Sequence, residues 1–486
     1  MATAQHHVIR REVLKAAVEG GEAEGLAFHR RFAALCNDWL APALEEALSR
    51  VTPADEHWIF ERLEVDAGSF TPDLLERDFV NVVATAVERQ IRERAAAGGT
   101  ATRRTVARQD EAPAAREAAG AILRLSGAQS IEEALAYFLT TGALPWWFSL
   151  PAGETFESVA TSALFADGSS SYPFARLVQA DAAPAARTRL VRQFSEQFVQ
   201  TLLERLSPGA APIARAIEME IARLALQSEL RRALSERLWS AALALAAAGR
   251  ATTAERLIAE WARAFSPGEE AERSVIFRIA RLFNAPLSGD PGEESPQRAA
   301  AETHAAENDL APGASSPALD LDEGVFVTCA GIVLLHPFLP ALFERLGIAA
   351  GGALLRPDRA LGVLHFLATG ERRAPEHAVV LAKLLCGLPL EEPCGAPFDL
   401  ADDEAAEANA LLNAVIGHWN ALGDASADAL RGTFLTRPGK LSRRGEDDLL
   451  QVEPQSFDLL LDRLPWGIGA IRLPWMRRML WVEWRM

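Results

Sequence analysis

Apolar and polar positions recur in different rhythms along the chain, and each rhythm predicts a different kind of element. Over His6 to Arg94 the order reads strand, helix, strand, helix. Val8 to Val18 is a mixed run consistent with a strand, ended by Gly20 and Gly21. Glu22 to Ser49 places Leu26, Phe32, Leu35, Leu40, Leu44 and Leu48 at near-helical spacing, with Pro42 as the kink. His57 to Ala67 alternates Ile59, Leu63 and Val65 with Glu61, Glu64 and Asp66, a strand pattern closed by Gly68. Thr71-Pro72-Asp73 reads as a helix start, Thr71 at the N-cap and Pro72 at the first helical position. Two strands joined by a crossover helix fit one small parallel sheet. Residues 1–94 are therefore expected to form an N-terminal α+β module.

Residues 95–120 lose the apolar period, turn Ala-, Arg- and Gly-rich and read as a linker. Residues 121–284 are expected to be a helical domain. Leu202 and Leu206, then Ile213, Ile217, Ile221 and Leu224, keep helical spacing across a break at Ser207-Pro208-Gly209, and Ala241 to Ala248 lets helices approach closely. Residues 285–323 read as an acidic disordered linker, since Ser288 to Glu323 holds nine acidic residues and one Arg. Residues 324–486 complete the chain as a helical domain with a Trp-rich α+β end. In it Ala401 to Leu422 is one amphipathic helix, Gly439 to Asp448 a hairpin connection and Ser456 to Leu464 another helix. Leu464-Pro465-Trp466-Gly467 and Leu473-Pro474-Trp475-Met476 then lie nine residues apart, ahead of Trp481 and Trp484. The fold class is mostly α, with helical blocks separated by flexible linkers.

Two short self-similarities cross the acidic stretch. Tyr137 to Gly142 resembles His365 to Gly370, each an apolar helix end stopped by Gly, and Phe198 to Leu206 resembles Phe338 to Leu346. Amphipathic helices with Gly caps look alike, and a duplicated helical unit gives the same pattern. Both readings stand at this stage.

Composition narrows the function. The 486 residues allow two to four domains, and 49% hydrophobic with 24% charged residues matches an ordinary soluble chain. A formal charge of -17 opposes binding to a polyanion such as DNA, so no nucleic-acid partner is expected. Only Lys15, Lys383 and Lys440 are Lys, which with abundant Ala reads as GC-rich bacterial coding. Cys36, Cys329, Cys386 and Cys394 are too sparse for a disulfide scaffold, so a reducing compartment is expected. Met1 to Val18 lacks a signal-peptide apolar run. Val325 to Phe343 is uncharged and nearly long enough to cross a bilayer, but Pro337 and Pro340 favour buried core helices over a membrane span.

Chemistry is thin. There is no Walker loop, no strand-bound Gly-x-Gly-x-x-Gly, no His-Glu-x-x-His and no Gly-x-Ser-x-Gly elbow. Cys386 and Cys394 flank Gly387, Pro389 and Pro393 without metal-site spacing, and Glu391-Glu392, Asp402-Asp403-Glu404 and Asp447-Asp448 read as solvated faces. His336, His365, His377 and His418 sit among apolar residues, which fits core or interface histidines better than catalysis. No catalytic, cofactor or metal residue is expected. Arg103-Arg104, Arg443-Arg444 and Arg477-Arg478 suit acidic protein surface better than phosphate. The Leu-Pro-Trp repeats suit a core corner or an interface anchor. The candidate interaction residues are Trp146, Trp147, His336, Phe338, Trp466, Trp475, Trp481 and Trp484.

Several ordered motifs together resemble a known family. They are Leu334-Leu335-His336-Pro337-Phe338-Leu339-Pro340, His365 to Glu371, Pro375-Glu376-His377 with Leu381 to Gly387, Gly439-Lys440-Leu441-Ser442 and both Leu-Pro-Trp segments. His7 to Arg11, Arg62 to Asp66 with Gly68, and Gly142 to Trp147 join them. With the linkers unmatched, the set resembles the tape measure proteins of contractile injection systems. The resemblance implies a non-enzymatic part of a phage-tail-like particle that sets inner-tube length, assembled in the bacterial cytoplasm or held in the tube lumen. The implied partners are inner-tube, baseplate or spike subunits, with self-association as a further possibility and no stable membrane insertion. Fully helical, the chain would reach about 730 Å, but its 27 Pro exclude a continuous rod. A compact assembly chaperone or adaptor absent from the mature particle is the alternative, and a hydrolase around His336 or His377 is the third.

Overall fold

Pro42 shapes the first described helix. It has no N–H to give to a preceding turn, so the chain passes through a π-helical turn at Cys36–Leu40 and enters α1, Ala41–Val51, with Pro42 in the opening turn. The computed structural model describes residues 28–97, 123–165, 184–287 and 319–484 apart from short gaps, with part of 7–18. The linker readings over 98–120 and 288–318 lie outside the described residues. The chain forms two units, Met1–Glu133 with Trp146–Glu154, and Ala134–Pro145 with Thr155–Met486.

In the first unit α1 packs on α2, Pro72–Ala97, which starts where Thr71-Pro72 predicts. Leu40 and Leu44 meet Phe79, Val83, Val87 and Ile91 in its core. The small sheet departs from expectation. β1, Glu56–Ile59, pairs antiparallel with β2, Leu123–Ser126, and Trp58 stands opposite Arg124. Residues 12–18 are exposed and make no strand. Leu123-Arg124-Leu125-Ser126 carries the stricter period-two alternation, but at four residues it merges by eye with the helix that follows. Leu63, Val65 and Ala67 pack against the core without joining a ladder.

Helices dominate the second unit. After α3, Gly127–Thr141, whose last turns belong here, come α4, Phe156–Leu164, α5, Pro184–Gln193, and α6, Glu196–Leu206. α7, Ala210–Arg223, α8, Ser228–Ala247, α9, Ala254–Arg263, and α10, Glu270–Leu282, follow. Gly209 is left-handed and starts α7, which makes Ser207-Pro208-Gly209 the expected break. The Ala-rich end of α8 is buried, and α8 packs against α5, α6, α7 and α9. Trp261 of α9 is fully buried and donates its indole N–H to Leu234 O at 3.0 Å.

Beyond residue 318 the chain is packed from its first described positions, because Leu319 and Leu321 are buried. The uncharged run folds as β3, Val325–Val327, a 3₁₀ turn at Ala330–Leu335 and α11, Leu339–Arg345, with Pro340 in its first turn. No helix among the described residues is long and apolar enough to cross a membrane. A two-stranded ribbon of β4, Ala349–Ala350, and β5, Ala353–Leu354, precedes α12, Pro357–Thr369. α13, Val380–Leu385, α14, Asp402–His418, and α15, Ala427–Leu430, complete the helical layer, and α14 stops before Trp419 instead of running to Leu422.

β6, Gly439–Arg444, and β7, Asp447–Val452, form the expected hairpin, with its polar arm itself a strand. Ser456–Arg463 is 3₁₀-helical. β8, Ala470–Ile471, and β9, Leu480–Trp484, finish a sheet of order β3-β6-β7-β9-β8. β9 lies inside it, parallel to β7 and antiparallel to β8. Val325, Leu441, Leu450, Leu480 and Val482 face the core, while Lys440, Leu449, Gln451 and Trp481 face outward.

Candidate functional site: a buried ion cluster and the tryptophan-bearing sheet

The end of α3, α5 and the stretch from Lys383 to Gly395 converge on Glu376. It opens a 3₁₀ turn, Glu376–Ala378, set by Pro375. Its Oε1 accepts from Arg189 Nε of α5 at 3.0 Å and from Lys383 Nζ of α13 at 2.7 Å. Neither Arg189 nor Glu376 exposes any side-chain surface, and Lys383 exposes 2%. Two cations against one carboxylate leave a net positive charge in a region from which water is excluded. Main-chain carbonyl dipoles supply the rest. Arg189 donates to Leu139 O and Thr140 O, both at 2.8 Å, and to Glu391 O, while Lys383 donates to Leu390 O at 3.0 Å and Glu392 O at 2.7 Å. Gln193 adds a further tie by accepting from Glu376 N at 3.1 Å and donating to Gly395 O at 3.2 Å.

The end of α3 closes over this cluster. Gly142 sits at φ +80° with its N–H on Phe138 O at 2.7 Å, and a Cβ there would stand 2.5 Å from Glu376 Oε1. The similar segment ends α12 in the same manner. Gly370 has φ +78° and bonds Phe366 O at 2.8 Å, while Arg431 donates to Leu367 O at 3.3 Å, the position matching Leu139. Each helix thus ends on a left-handed Gly under a buried Arg that donates to a carbonyl of its last turn.

His377 follows Glu376 into an aromatic box, with ring centroids 6.0 Å from Phe138 and 5.9 Å from Phe156. Burial, with a smaller contribution from nearby His365, pulls it down to about 4. His365 is itself buried with Nε2 3.7 Å from Glu371 Oε2, and burial lowers it while Glu371 opposes the shift. His336 turns Nδ1 to Val333 O at 3.0 Å, and burial lowers it too. Burial pushes the Cys386 thiol up, and Cys394 up to about 12, which leaves both protonated and poor nucleophiles. Among the described residues no group of three His, Cys, Asp or Glu is placed to hold a metal. A surface groove of about 530 Å³ is walled by ion pairs, Arg345 with Glu407 at 2.9 Å and Arg359 with Glu404.

The candidate interaction residues fall into three groups. Trp146 and Trp147 lie half-buried in the turn after α3, within the first unit, with Trp147 edge-on to Phe148. His336, Phe338, Trp466 and Trp475 are tied into the core of the second unit. Trp466 donates to Leu334 O at 3.0 Å and meets Phe338 edge-on at 5.1 Å, while Trp475 donates to Leu385 O at 2.8 Å and stacks on Phe343. The two Leu-Pro-Trp segments therefore each seat an indole on the carbonyl end of a helical turn. Trp484 faces inward under Arg437, and Trp481 faces outward, 37% exposed, with the Arg444 guanidinium 5.1 Å from its ring centre.

The ion cluster is absent from the sequence reading. Its local signal is Lys383, a single cation inside the buried run Val379 to Leu385 of a chain with three Lys. Such a charge requires a buried carboxylate nearby. A family model described as contractile injection system tape measure protein matches residues 6–484. No curated protein and no solved structure matches.

Proposed function

The chain belongs to the contractile injection system tape measure protein family, and from that premise we propose that it sets the length of the inner tube and docks through its C-terminal sheet to a baseplate or spike subunit. The match over nearly the whole chain carries this reading, since it spans both folded units and the stretches between them. The buried lock constrains how a ruler can work. Drawing the second unit out into a thread would strip Arg189, Glu376 and Lys383 of their partners, and separating buried charges is costly. The apolar-poor sequence of 288–318 makes that stretch the cheaper source of reach along a tube, at up to roughly 3.3 Å per residue.

Changing the length of 288–318 tests the idea. Inserting thirty residues there lengthens tubes seen by electron microscopy, by at most about 100 Å, and removing residues shortens them. Unchanged tubes would overturn the ruler. The same lock favours a second reading, an assembly chaperone or adaptor that works as a folded body in the cytoplasm and is left out of the finished particle. Mass spectrometry of purified particles separates the two: the ruler is retained, and the chaperone is missing although assembly requires it.

A further inference from the structure

The end of the C-terminal sheet carries a corner in which exposed arginines outnumber the neighbouring acids. Between Ala470 and Val482 the chain has Arg472, Arg477 and Arg478 and no acidic residue. All three are exposed, as is Arg444 at the end of β6. Three acids lie beside them in the β6–β7 hairpin, Glu446, Asp447 and Asp448. Asp448 is buried and paired with Arg443 at 2.7 Å. Asp447, held below the ordinary carboxylate range by hydrogen bonds from Trp481 Nε1 and Met479 N, both at 3.1 Å, and by Arg472 and Arg478, offsets part of their charge. Arg444, Arg472, Arg477 and Arg478 make no ion pair among the described residues. Trp481 lies beside Leu449 in the strand register, with Arg444 over its ring.

We propose that this corner binds an acidic peptide segment of another protein, with carboxylates on the four guanidiniums and an apolar side chain on Trp481 and Leu449. The inference rests on the reading of the C-terminal sheet as the docking end and supplies its partner chemistry. Arg forks suit carboxylates, and an exposed indole adds an apolar anchor. A long polyanion fits less well. At physiological salt, charges interact over roughly 8 Å, so a short acidic segment feels the corner while an extended nucleic acid also meets a chain of net charge -17.

The test uses the full chain and fluorescence anisotropy of a labelled peptide of alternating Glu and Leu. Oligo-dT of equal charge and an alternating Lys and Leu peptide are the comparisons. The acidic peptide binds saturably, and Arg444→Glu with Arg478→Glu weakens it at least about tenfold, as does Arg472→Glu with Arg477→Glu. Trp481→Ala weakens it about fivefold. The Arg variants keep the parent's circular dichroism and melting temperature because the altered side chains are exposed, and circular dichroism checks that Trp481→Ala stays folded. No saturable binding, equal binding of oligo-dT, or unchanged affinity in both Arg variants overturns the proposal. A gain in affinity on deleting residues 288–318 assigns the corner to the chain's own acidic stretch and also overturns it. Tube-length measurements are independent of this assay, so loss of the ruler reading and loss of the docking site register separately.

Discussion

Arg189 and Glu376 are 187 residues apart in sequence and 3.0 Å apart in space, with no exposed surface on either side chain. Their contact joins α5 to the turn that precedes α13 within one folded unit. Replacing Glu376 with Gln leaves Arg189 and Lys383 as two buried cations without a counter-charge. The expected cost is about 3–5 kcal/mol. A triple change to Met at 189, 376 and 383 removes all three charges together and costs less than the single substitution. Urea unfolding followed by circular dichroism gives both midpoints.

The two left-handed glycines separate conformation from contact. Gly370→Ala meets only ordinary contact, 3.5 Å from the Arg431 guanidinium, so its cost is the left-handed penalty of about 1–2 kcal/mol. Gly142→Ala adds a Cβ 2.5 Å from Glu376 Oε1 and must also displace the ion cluster. The melting temperature therefore falls further for Gly142→Ala than for Gly370→Ala.

His377 sets an acid limit on stability. Folding favours its neutral ring, so between the ordinary value of 6.5 and about 4 the unfolded chain holds more protons than the folded one. Its contribution is complete above pH 6.5 and is lost as the pH falls toward 4, by a few kcal/mol at most. His377→Phe keeps an aromatic ring between Phe138 and Phe156 and removes the proton. The slope of melting temperature against pH between 4 and 6.5 is shallower in that variant.

The tryptophans divide into fasteners and a surface residue. Trp466→Phe and Trp475→Phe each remove a hydrogen bond to a helical carbonyl and cost about 1 kcal/mol. Trp481→Phe, on the exposed face, changes stability by less than about 0.5 kcal/mol. Thermal melts of the three variants rank them.

Local signals were enough for much of this fold. Thr71-Pro72 marks the start of α2, Ser207-Pro208-Gly209 the break before α7, and the Gly-rich polar stretch after residue 438 the β6–β7 hairpin, because caps and turns are decided by a few neighbouring residues. The pairing of β1 with β2 was not legible, since register between segments more than sixty residues apart depends on tertiary packing. The same holds for the pairing of Arg189 with Glu376, which come from segments 187 residues apart. Tyr137 to Gly142 and His365 to Gly370 do share more than a cap, for each takes a buried Arg on one equivalent carbonyl, Leu139 O or Leu367 O. Yet the second pair of similar segments, at 198 and 338, follows the first motif in one case and precedes it in the other. A simple tandem duplication does not give that order.

The place of β9 has a consequence for synthesis. With residues 480–484 seated between β7 and β8, every strand before them emerges from the ribosome while the slot they fill is still open. Until those five residues arrive, β7 presents a free row of backbone donors and acceptors, the kind of edge that recruits strands from neighbouring chains. A chain that has not yet placed β9 thus carries an open edge on β7, and β9 closes it in a single step.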